Sequence, residues 1–426
     1  MRLEVTAIAP GGEGVAHVTH DEGRRAVFVP RTAPGDVLEA DVDFTRKPAR
    51  ATVLRVLQPS SMRIPAPCPF VDRCGGCDLM HLTRGAQSEV HQRIVHVALE
   101  RAAGSVPSIM VHPASRGEGY RSRARFAVFA RRGRAAVGYR RASSHTVQDI
   151  ASCLVLDPRL DAVLQALRDL FANEEGQGEV TVALGLDAKP VLDVRWVGDL
   201  SGVFFAALGA AVERGQCAGA EVWLEGAKEP ARFGDPKAIG AGADGEAIVV
   251  PAGGFAQANA MVNQELGQRV LVQTRPAGQT IVELFAGSGN FTVLLARHAA
   301  SVVAVESDAR AAAAARANLA ARHLPGRVIE ADADAFSFRP GTRTVLLDPP
   351  RAGAPGASRR LAQSKVRRVV YVACDASTLA RDVATLTGGG FRLVDVEMFE
   401  MFPHTSHVEI LAVLERPRGA SGESRP

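Results

Sequence analysis

Short runs of alternating apolar and polar residues fill the first 58 positions of the chain, separated by glycine- and proline-containing turns such as Pro34-Gly35-Asp36. Alternation with a period of two is typical of strands that bury one face. Five short strands joined by tight turns favour a small barrel of the oligonucleotide-binding (OB) type over residues 1–58. The predicted strands are Arg2–Ala7, Gly14–Val18, Ala26–Pro30, Val37–Phe44 and Ala51–Leu57.

Residues 59–255 mix the two periodicities, and we assign them to a central α+β domain. Prolines between Gln58 and Pro67 mark the end of the barrel. The segment 84–118 is a candidate for packing on the domain that follows. The predicted helices are Arg84–Ala103, Leu160–Phe171 and Gly202–Arg214, and the predicted strands are Ala124–Phe129, Glu179–Leu184, Pro190–Trp196 and Glu221–Leu224.

From about Gln279 onward, apolar strand candidates alternate with helix candidates. This alternation predicts a Rossmann-like α/β domain over residues 256–416, with a parallel sheet covered on both faces. The polar residues 417–426 are predicted to be a disordered tail. The predicted strands are Ile281–Phe285, Ser301–Glu306, Arg327–Glu330, Thr344–Leu347, Arg368–Ala373 and Val408–Leu414, with helices Phe291–His298, Ala309–Arg322 and Ser377–Thr387.

The composition is that of a folded protein, with 46% hydrophobic and 23% charged residues among 426. No apolar run reaches the roughly 20 residues of a membrane span, and the N-terminus lacks a signal pattern, so we expect a cytoplasmic protein without membrane contact. A net charge of +4 says little about partners. Arginines without intervening acids could neutralise phosphates or form a solvated face equally well: Arg121, Arg123, Arg125, Arg131, Arg132, Arg134, Arg140 and Arg141.

A glycine turn joins the first strand of the α/β domain to a helix, in the run Ile281 to Phe291. Glu306 ends the next strand, where an acid can bind both ribose hydroxyls of a nucleoside. The turn lacks the third glycine of a dinucleotide site and the lysine of a phosphate loop. A cofactor without a pyrophosphate, such as S-adenosylmethionine, fits this pattern. The alternative is a generic turn with a surface Glu306.

Two further strands are followed by residues that could take part in catalysis or ligand binding. Asp348 follows the fourth strand in Asp348-Pro-Pro-Arg351, and Cys374 follows the fifth, so both belong to the edge where such sheets bind ligands. A cysteine there is a candidate nucleophile, or else a buried small residue. Glu409, at the start of the last strand, is a candidate general base, with His404 and His407 as rivals.

Clustered cysteines in a large cytosolic protein suggest a metal site or catalysis, and this chain has the run Cys68-x5-Cys74-x2-Cys77, with Cys153 farther along. Four thiolates would suit an iron–sulfur cluster or a zinc ion, and the spacing alone leaves both open. Cys217 has no partner motif, and we expect it in the core.

These motifs together resemble the RNA 5-methyluridine methyltransferase family over nearly the whole chain. The resemblance rests on Phe255–Asn259, Leu284–Phe291, Asp348–Arg351, Cys374 with Thr378–Asp382, and Phe402–Glu409. It implies that Cys374 is the nucleophile and Glu409 the base. It also implies a TRAM-type RNA-binding barrel and a 4Fe–4S cluster on the four cysteines, with zinc less favoured. The residues implied to bind S-adenosylmethionine or lie beside it are Gln257, Phe285, Gly287, Asn290, Glu306, Asp332 and Asp348, of which Asp332 matches least securely.

The family chemistry is methyl transfer to carbon 5 of a uridine, through a covalent bond from the cysteine to carbon 6. The resemblance favours a monomer acting on a single-stranded or loop uridine of 23S rRNA. The alternatives are uridine-5 methylation of tRNA, RNA cytosine-5 methylation and an inactive RNA-binding paralogue. Cytosine enzymes usually have a cysteine after the proline that follows strand four, which is absent here.

One departure from the family lies beside the nucleophile. Asp375-Ala376 stand where the family usually has Asn-Pro. The added negative charge is expected to raise the pKa of Cys374.

Overall fold

The first 58 residues form a closed barrel in the computed structural model, which describes residues 1–20, 23–131, 133–142 and 144–417. The predicted turn residues Asp21 and Glu22, Arg132 of the arginine-rich stretch, and the tail beyond Pro417 lie outside the described residues. The barrel strands follow the order β1-β2-β3-β5-β4, and β4 pairs with β1 to close it. They are β1 (Arg2–Ile8), β2 (Gly14–His20), β3 (Gly23–Val29), β4 (Val37–Asp43) and β5 (Ala49–Gln58). The predicted five-stranded barrel is confirmed.

After the barrel come helix α1 (Arg84–Ala103) and the short strand β6 (Ile109–His112). Thr83 caps the start of α1 by accepting a hydrogen bond from the Ala86 N–H, and Gly104 ends it with a φ of 74°. Both bounds of this helix agree with the sequence prediction, because its capping signals lie in the local sequence.

A seven-stranded sheet forms the middle of the chain, in the order β13-β12-β11-β10-β7-β8-β9. One face packs on the helices around Phe171, Trp196 and Phe204. The elements are β7 (Arg123–Arg131), β8 (Arg134–Arg140), β9 (Val147–Asp149), α2 (Pro158–Asp161), α3 (Val163–Phe171), β10 (Gly176–Leu184), β11 (Pro190–Val197), α4 (Gly202–Glu213), β12 (Gly219–Leu224) and β13 (Ala231–Gly234), followed by a hairpin of β14 (Ala238–Ala241) and β15 (Ala247–Val250). The predicted helix Leu160–Phe171 is therefore two helices, with a break at Ala162.

The last part of the chain forms an eight-stranded sheet with helices on both faces, in the order β18-β17-β16-β19-β20-β22-β21-β6. Its elements are α5 (Ala260–Thr274), β16 (Thr280–Leu284), α6 (Asn290–Ala296), β17 (Ser301–Glu306), α7 (Ala309–Ala321), β18 (Arg327–Glu330), β19 (Thr344–Leu347), α8 (Pro355–Gln363), β20 (Arg368–Ala373), α9 (Ala376–Gly388), β21 (Arg392–Phe399) and β22 (Glu409–Glu415). The parallel strands β16 to β20 all end at one edge, which we call the carboxyl edge.

The last strand differs in direction from the parallel strands that precede it along the chain. β22 runs antiparallel to both β20 and β21. The physical reason is the connection from β21, which is a loop without a crossover helix, so the chain reverses direction. The reversal places the first residue of β22, Glu409, at the carboxyl edge.

The segment between the barrel and the central sheet packs on this last sheet. β6 pairs in parallel with β21, and α1 packs on α9. Buried side chains of α1 such as Val90 and Leu99 belong to the same core cluster as Val345 and Leu379 of the eight-stranded sheet and its helices. The domain boundaries given above stay a prediction. In the described part of the chain, no helix is both long and apolar enough to cross a membrane.

Candidate active site at the carboxyl edge of the eight-stranded sheet

The glycine turn after β16 lies at the carboxyl edge and is held by Glu306 from the end of β17. One carboxylate oxygen of Glu306 accepts a hydrogen bond from the Gly287 N–H at 2.8 Å, and the other accepts from Asp308 N–H at 2.8 Å. Phe285 has a φ of 63°, which is unusual for a residue with a side chain and marks a constrained turn. A Cβ atom at Gly287 would meet nothing within 4 Å, so the turn faces open space. The predicted residues Phe285, Gly287 and Glu306 are therefore brought together.

Asn290 takes part in a contact that the sequence did not indicate. Its side-chain oxygen accepts hydrogen bonds from Ala243 N–H and Asn263 Nδ2, both at 3.0 Å, and its Nδ2 donates to Asn263 Oδ1 at 2.9 Å. The amide pair ties α5 to α6. The Asn290 side chain thus holds the scaffold of the turn, and a direct bond to a cofactor stays a prediction.

Gln257 and Asp332 complete the predicted cofactor set. The Oε1 atom of Gln257 is buried and has no hydrogen-bond partner among the described residues. Buried acceptors are normally satisfied, so this one suits a donor supplied by a ligand. Asp332 comes just after the parallel strand β18, which places it at the carboxyl edge as well. It accepts a hydrogen bond from Asp334 N–H at 2.9 Å.

Cys374 and Glu409 lie opposite one another where β20 and β22 meet. Ala373 of β20 pairs with Ile410 of β22, so the next residues of the ladder, Cys374 and Glu409, face each other. Opposed residues in an antiparallel ladder have Cα atoms about 4.5–5.5 Å apart and side chains on the same face. Asp348 follows the neighbouring strand β19, and its N–H donates to Leu284 O at 3.3 Å. The candidate thiol and base, Asp348 and the glycine turn therefore share one edge.

The three acidic groups of this edge disfavour one another's ionisation. Burial, then Glu409 and Asp348, raise the pKa of Cys374 to about 12, while Arg351 opposes the rise. Burial, with Asp348, raises the pKa of Glu409 well above its ordinary value, and burial raises the pKa of Asp348 to about 7. Because the groups interact, their protons belong to the cluster as a whole. A positive charge entering this edge would favour deprotonation.

Asp375 has a structural role that the sequence analysis did not identify. Its carboxylate accepts hydrogen bonds from Ser377 N–H at 2.9 Å and Thr378 N–H at 2.8 Å, so it caps the start of α9. The carboxylates that raise the pKa of Cys374 most are Glu409 and Asp348. Asp and Asn are equally good at this cap, and Ala376 takes the first helical position, which proline also favours. The departure from Asn-Pro thus preserves the helix start behind the nucleophile.

The two histidine rivals to Glu409 are engaged elsewhere. The Nδ1 atom of His404 lies 3.3 Å from Gln87 Nε2, and burial lowers the His404 pKa. His407 Nε2 lies 3.1 Å from an Arg351 nitrogen, and burial followed by Arg351 lowers its pKa. Only Glu409 of the three occupies the ladder position opposite Cys374, which favours it as the base.

The raised pKa of Cys374 predicts that its thiol reacts slowly with alkylating reagents in the free protein. Below the raised pKa the thiol stays protonated, so its alkylation by iodoacetamide should speed up about tenfold per pH unit from about pH 7 to about pH 9. Peptide mass spectrometry separates Cys374 from the other cysteines. A rate that is already constant across this range would show that the thiolate is formed at neutral pH and would contradict the electrostatics described above.

The four clustered cysteines lie together, as predicted. Cys68, Cys74, Cys77 and Cys153 line one pocket with Tyr139, Arg121 and several apolar side chains, and all are free thiols. The Gly76 N–H points at Cys74 Sγ at 3.4 Å. Arg31 of the barrel donates to the carbonyl oxygens of Cys74 and Cys77 at 2.9 and 3.4 Å. Across the described residues, no three Cys, His, Asp or Glu side chains already have metal-binding geometry. Cys217 is buried in the core of the central sheet.

The arginine-rich stretch divides into two kinds of residue. Arg121 is interior and stacks on Phe402 at 5.6 Å, and Arg123 donates to Gly253 O at 2.8 Å. Arg125 and Arg140 are exposed and lie near Glu179. Arg121 and Arg123 therefore make internal contacts, whereas Arg125 and Arg140 lie at the surface.

Comparison with known proteins identifies the family to which the chain belongs. The model of the tRNA (uracil-5-)-methyltransferase family matches residues 249–337 and 326–417. The 23S rRNA (uracil(1939)-C(5))-methyltransferase RlmD of Pseudomonas putida is 37% identical over 430 residues, covering 97% of this chain and 93% of that one. The protein of the same name from Pectobacterium atrosepticum is 34% identical, covering 98% and 94%. The chain belongs to the RNA uracil-5 methyltransferase family.

A solved member of the family has the same fold. The tRNA (uracil-54, C5)-methyltransferase of Pyrococcus abyssi, in complex with S-adenosyl-L-homocysteine, superposes with a TM-score of 0.75 at 22% identity, covering 97% of this chain and 99% of that one. The family and the fold class predicted from the sequence are thereby confirmed. The roles of individual site residues stay predictions.

Proposed function

We propose that this chain transfers a methyl group from S-adenosylmethionine to carbon 5 of a uridine in 23S rRNA. The proposed target is the uridine that the names of its relatives specify, uracil 1939. The main support for the proposal is that Cys374, Glu409 and Asp348 lie at the same sheet edge as the glycine turn. The relatives' names support rRNA as the substrate class. The methyl donor, bound at the glycine turn and near Gln257, would supply an activated methyl group.

Each acidic group has a distinct task in this reaction. Carbon 5 of uracil is a weak nucleophile, so the Cys374 thiolate first adds to carbon 6, which makes carbon 5 electron-rich. After the methyl group has moved, Glu409 removes the proton from carbon 5, and the electron pair expels the thiolate. The raised pKa of Glu409 makes it a stronger base than an ordinary carboxylate. Asp348, whose pKa is raised to about 7, would accept the proton that the Cys374 thiol loses before it adds to carbon 6.

The cytosine alternative has less support. Enzymes that methylate cytosine usually place two cysteines at this edge. All six cysteines of the chain are described: Cys68, Cys74, Cys77 and Cys153 line one pocket, Cys217 lies in another core, and Cys374 alone follows β20. The residues after Asp348 are prolines and Arg351.

The test is methyl transfer by the purified protein to defined transcripts. We expect label from S-adenosylmethionine to reach a 23S rRNA fragment around the relatives' uridine, and a deletion strain to lose 5-methyluridine there. Transfer to tRNA transcripts alone would make the chain a tRNA enzyme. Transfer to neither RNA would overturn the proposal.

We also propose that the four clustered cysteines hold a 4Fe–4S cluster, with zinc as the alternative. The donor set of four thiols in one pocket fits either group. Burial raises the pKa of Cys74, Cys77 and Cys153, so free thiols would be protonated there and a bound metal would replace the protons. The bound group would supply structural cross-linking of residues far apart in the sequence.

Protein purified without oxygen should be coloured. We expect the broad visible absorbance of an iron–sulfur cluster, bleached by dithionite, and its loss in Cys77→Ser with a lowered melting temperature. Cys217→Ser is the matched control and should keep the colour, because Cys217 belongs to a different core. A colourless protein that contains zinc would decide for the alternative.

A further inference from the structure

The cysteine-rich loop, which we define as residues 68–79, is hydrogen-bonded to the loop that precedes the candidate base. We call residues 400–408, between β21 and β22, the base loop. Asp78, the residue after Cys77, accepts a hydrogen bond from Ser406 N–H at 3.1 Å and a second, short one from the Ser406 hydroxyl. Leu79 N–H donates to His404 O at 2.9 Å. Ser406 lies three residues before Glu409, so this contact is close to the catalytic edge in the chain.

The base loop has no helix or strand of its own, and other parts of the chain hold it. His404 has a φ of 71°, so its backbone is in a conformation that neighbours must stabilise. Residues between the barrel and the central sheet also bond to this loop: His404 N–H donates to Gln87 Oε1 at 2.9 Å, His91 Nε2 lies 2.8 Å from Thr405 O, and the Tyr120 hydroxyl donates to Pro403 O at 3.1 Å. At the start of the loop, Glu400 Oε2 accepts hydrogen bonds from Arg84 and from the Ala114 N–H.

Asp78 is a meeting point of three parts of the molecule. A Cβ atom at Gly12 of the barrel would lie 2.2 Å from Asp78 Oδ2, so the barrel backbone packs directly on this carboxylate. Cys77 precedes Asp78 and lines the cysteine pocket. Ser406 donates its N–H and its hydroxyl to the Asp78 carboxylate. Among the contacts that the described residues make with the base loop, this one alone has a charged acceptor that binds two donors of a single residue, which fixes position and direction together.

We propose that Asp78 is a positioning residue for methyl transfer, through which the cysteine-rich loop holds the base loop and so sets the position of Glu409 opposite Cys374. This inference rests on the proposed function. Asp78 does not contact the reacting atoms. Its effect comes from the alignment of the carboxylate, and a misplacement of about 1 Å in a catalytic group can lower a rate about 100-fold.

The test compares Asp78→Ala with the wild-type holoprotein by hydrogen–deuterium exchange without RNA or methyl donor. We expect faster exchange in the base loop, a fall in kcat of about 10- to 100-fold, and unchanged KM for RNA and S-adenosylmethionine. Asp72→Ala, in the same cysteine-rich loop but exposed and without a side-chain partner among the described residues, is the control and should behave as wild type.

A second variant acts from the other side of the contact. Ser406→Ala removes the hydroxyl donor and leaves the cysteine-rich loop unchanged, so it should raise base-loop exchange and lower kcat in the same direction, by less. If Asp78→Ala fails to fold, Ser406→Ala alone tests whether the contact positions the base loop. Unchanged base-loop exchange or unchanged kcat in the folded variants overturns the inference. Exchange is measured without substrates, so its result does not depend on whether the protein is a methyltransferase. The proposed function is tested separately, and it is overturned if the wild type transfers no methyl group.

Discussion

Replacing Cys374 with alanine is expected to reduce methyl transfer by about 10⁴-fold or more, because the variant has no group to add to carbon 6 of the uracil. Binding of S-adenosylmethionine should be kept, since Glu306 and the glycine turn are separate from the thiol. Transfer of labelled methyl to an RNA fragment measures the first quantity, and calorimetric titration with S-adenosyl-L-homocysteine measures the second.

Cys217→Ala is the matched control for this prediction. Cys217 is buried in the core of the central sheet, and its thiol donates to Gly219 O at 3.2 Å. Its removal should lower the melting temperature and leave kcat close to that of the wild type. An active Cys374→Ala enzyme would require a reaction without a thiol nucleophile and would refute the mechanism.

Replacing Glu409 with glutamine is expected to separate the two halves of the reaction. Glutamine keeps the size of the side chain and cannot accept the carbon 5 proton, so kcat should fall by about 10²- to 10⁴-fold. The cysteine can still add and the methyl group can still move. Unmodified RNA should therefore accumulate on the protein as a covalent, methylated adduct, visible as a shifted band in a denaturing gel.

Glu415→Gln serves as the control, because Glu415 lies at the far end of the same strand and pairs with Arg275 and Arg368. It should form no stable adduct with unmodified RNA. If Glu409→Gln turns over at the wild-type rate, another group removes the proton, and Asp348 would be the first to examine.

The parts of the site that the sequence predicted are those with a local pattern. The glycine turn, Glu306 and Asp348 each follow an apolar strand, and the carboxyl ends of parallel strands meet at one edge whatever the rest of the chain does. Cys374 was placed by the same rule. The spacing of Cys68, Cys74 and Cys77 was likewise sufficient to bring three thiols together, since they lie on one short loop.

The elements that the sequence missed have weaker local patterns. Strand β8 contains arginines and glycine, so its alternation is less apolar than that of its neighbours. Helix α5 combines a capping Asn259 with a face that buries Asn263 and Gln273, which polarity alone assigns to the surface. Strand β21 buries its second half only, because β6 covers it from a distant part of the chain.

Contacts between residues far apart in the chain could not be predicted at all. Asn263 with Asn290, and Asp78 with Ser406, are pairs of polar side chains whose sequence positions hold no signal of the partner. The pKa of Cys374 has the same origin. Burial and Glu409 dominate it, and both depend on the antiparallel return of β22. The sequence pointed instead to Asp375, which is adjacent in the chain but turned toward its own helix.

The most direct test of the central claim is to trap the protein on RNA that contains 5-fluorouridine at the target position. A base cannot remove the fluorine at carbon 5 as it removes the proton of uridine, so elimination of the thiolate is blocked. After digestion, mass spectrometry should find the nucleotide attached to the peptide containing Cys374, together with the transferred methyl group. An active enzyme that forms no adduct, or an adduct on any other residue, would contradict the account.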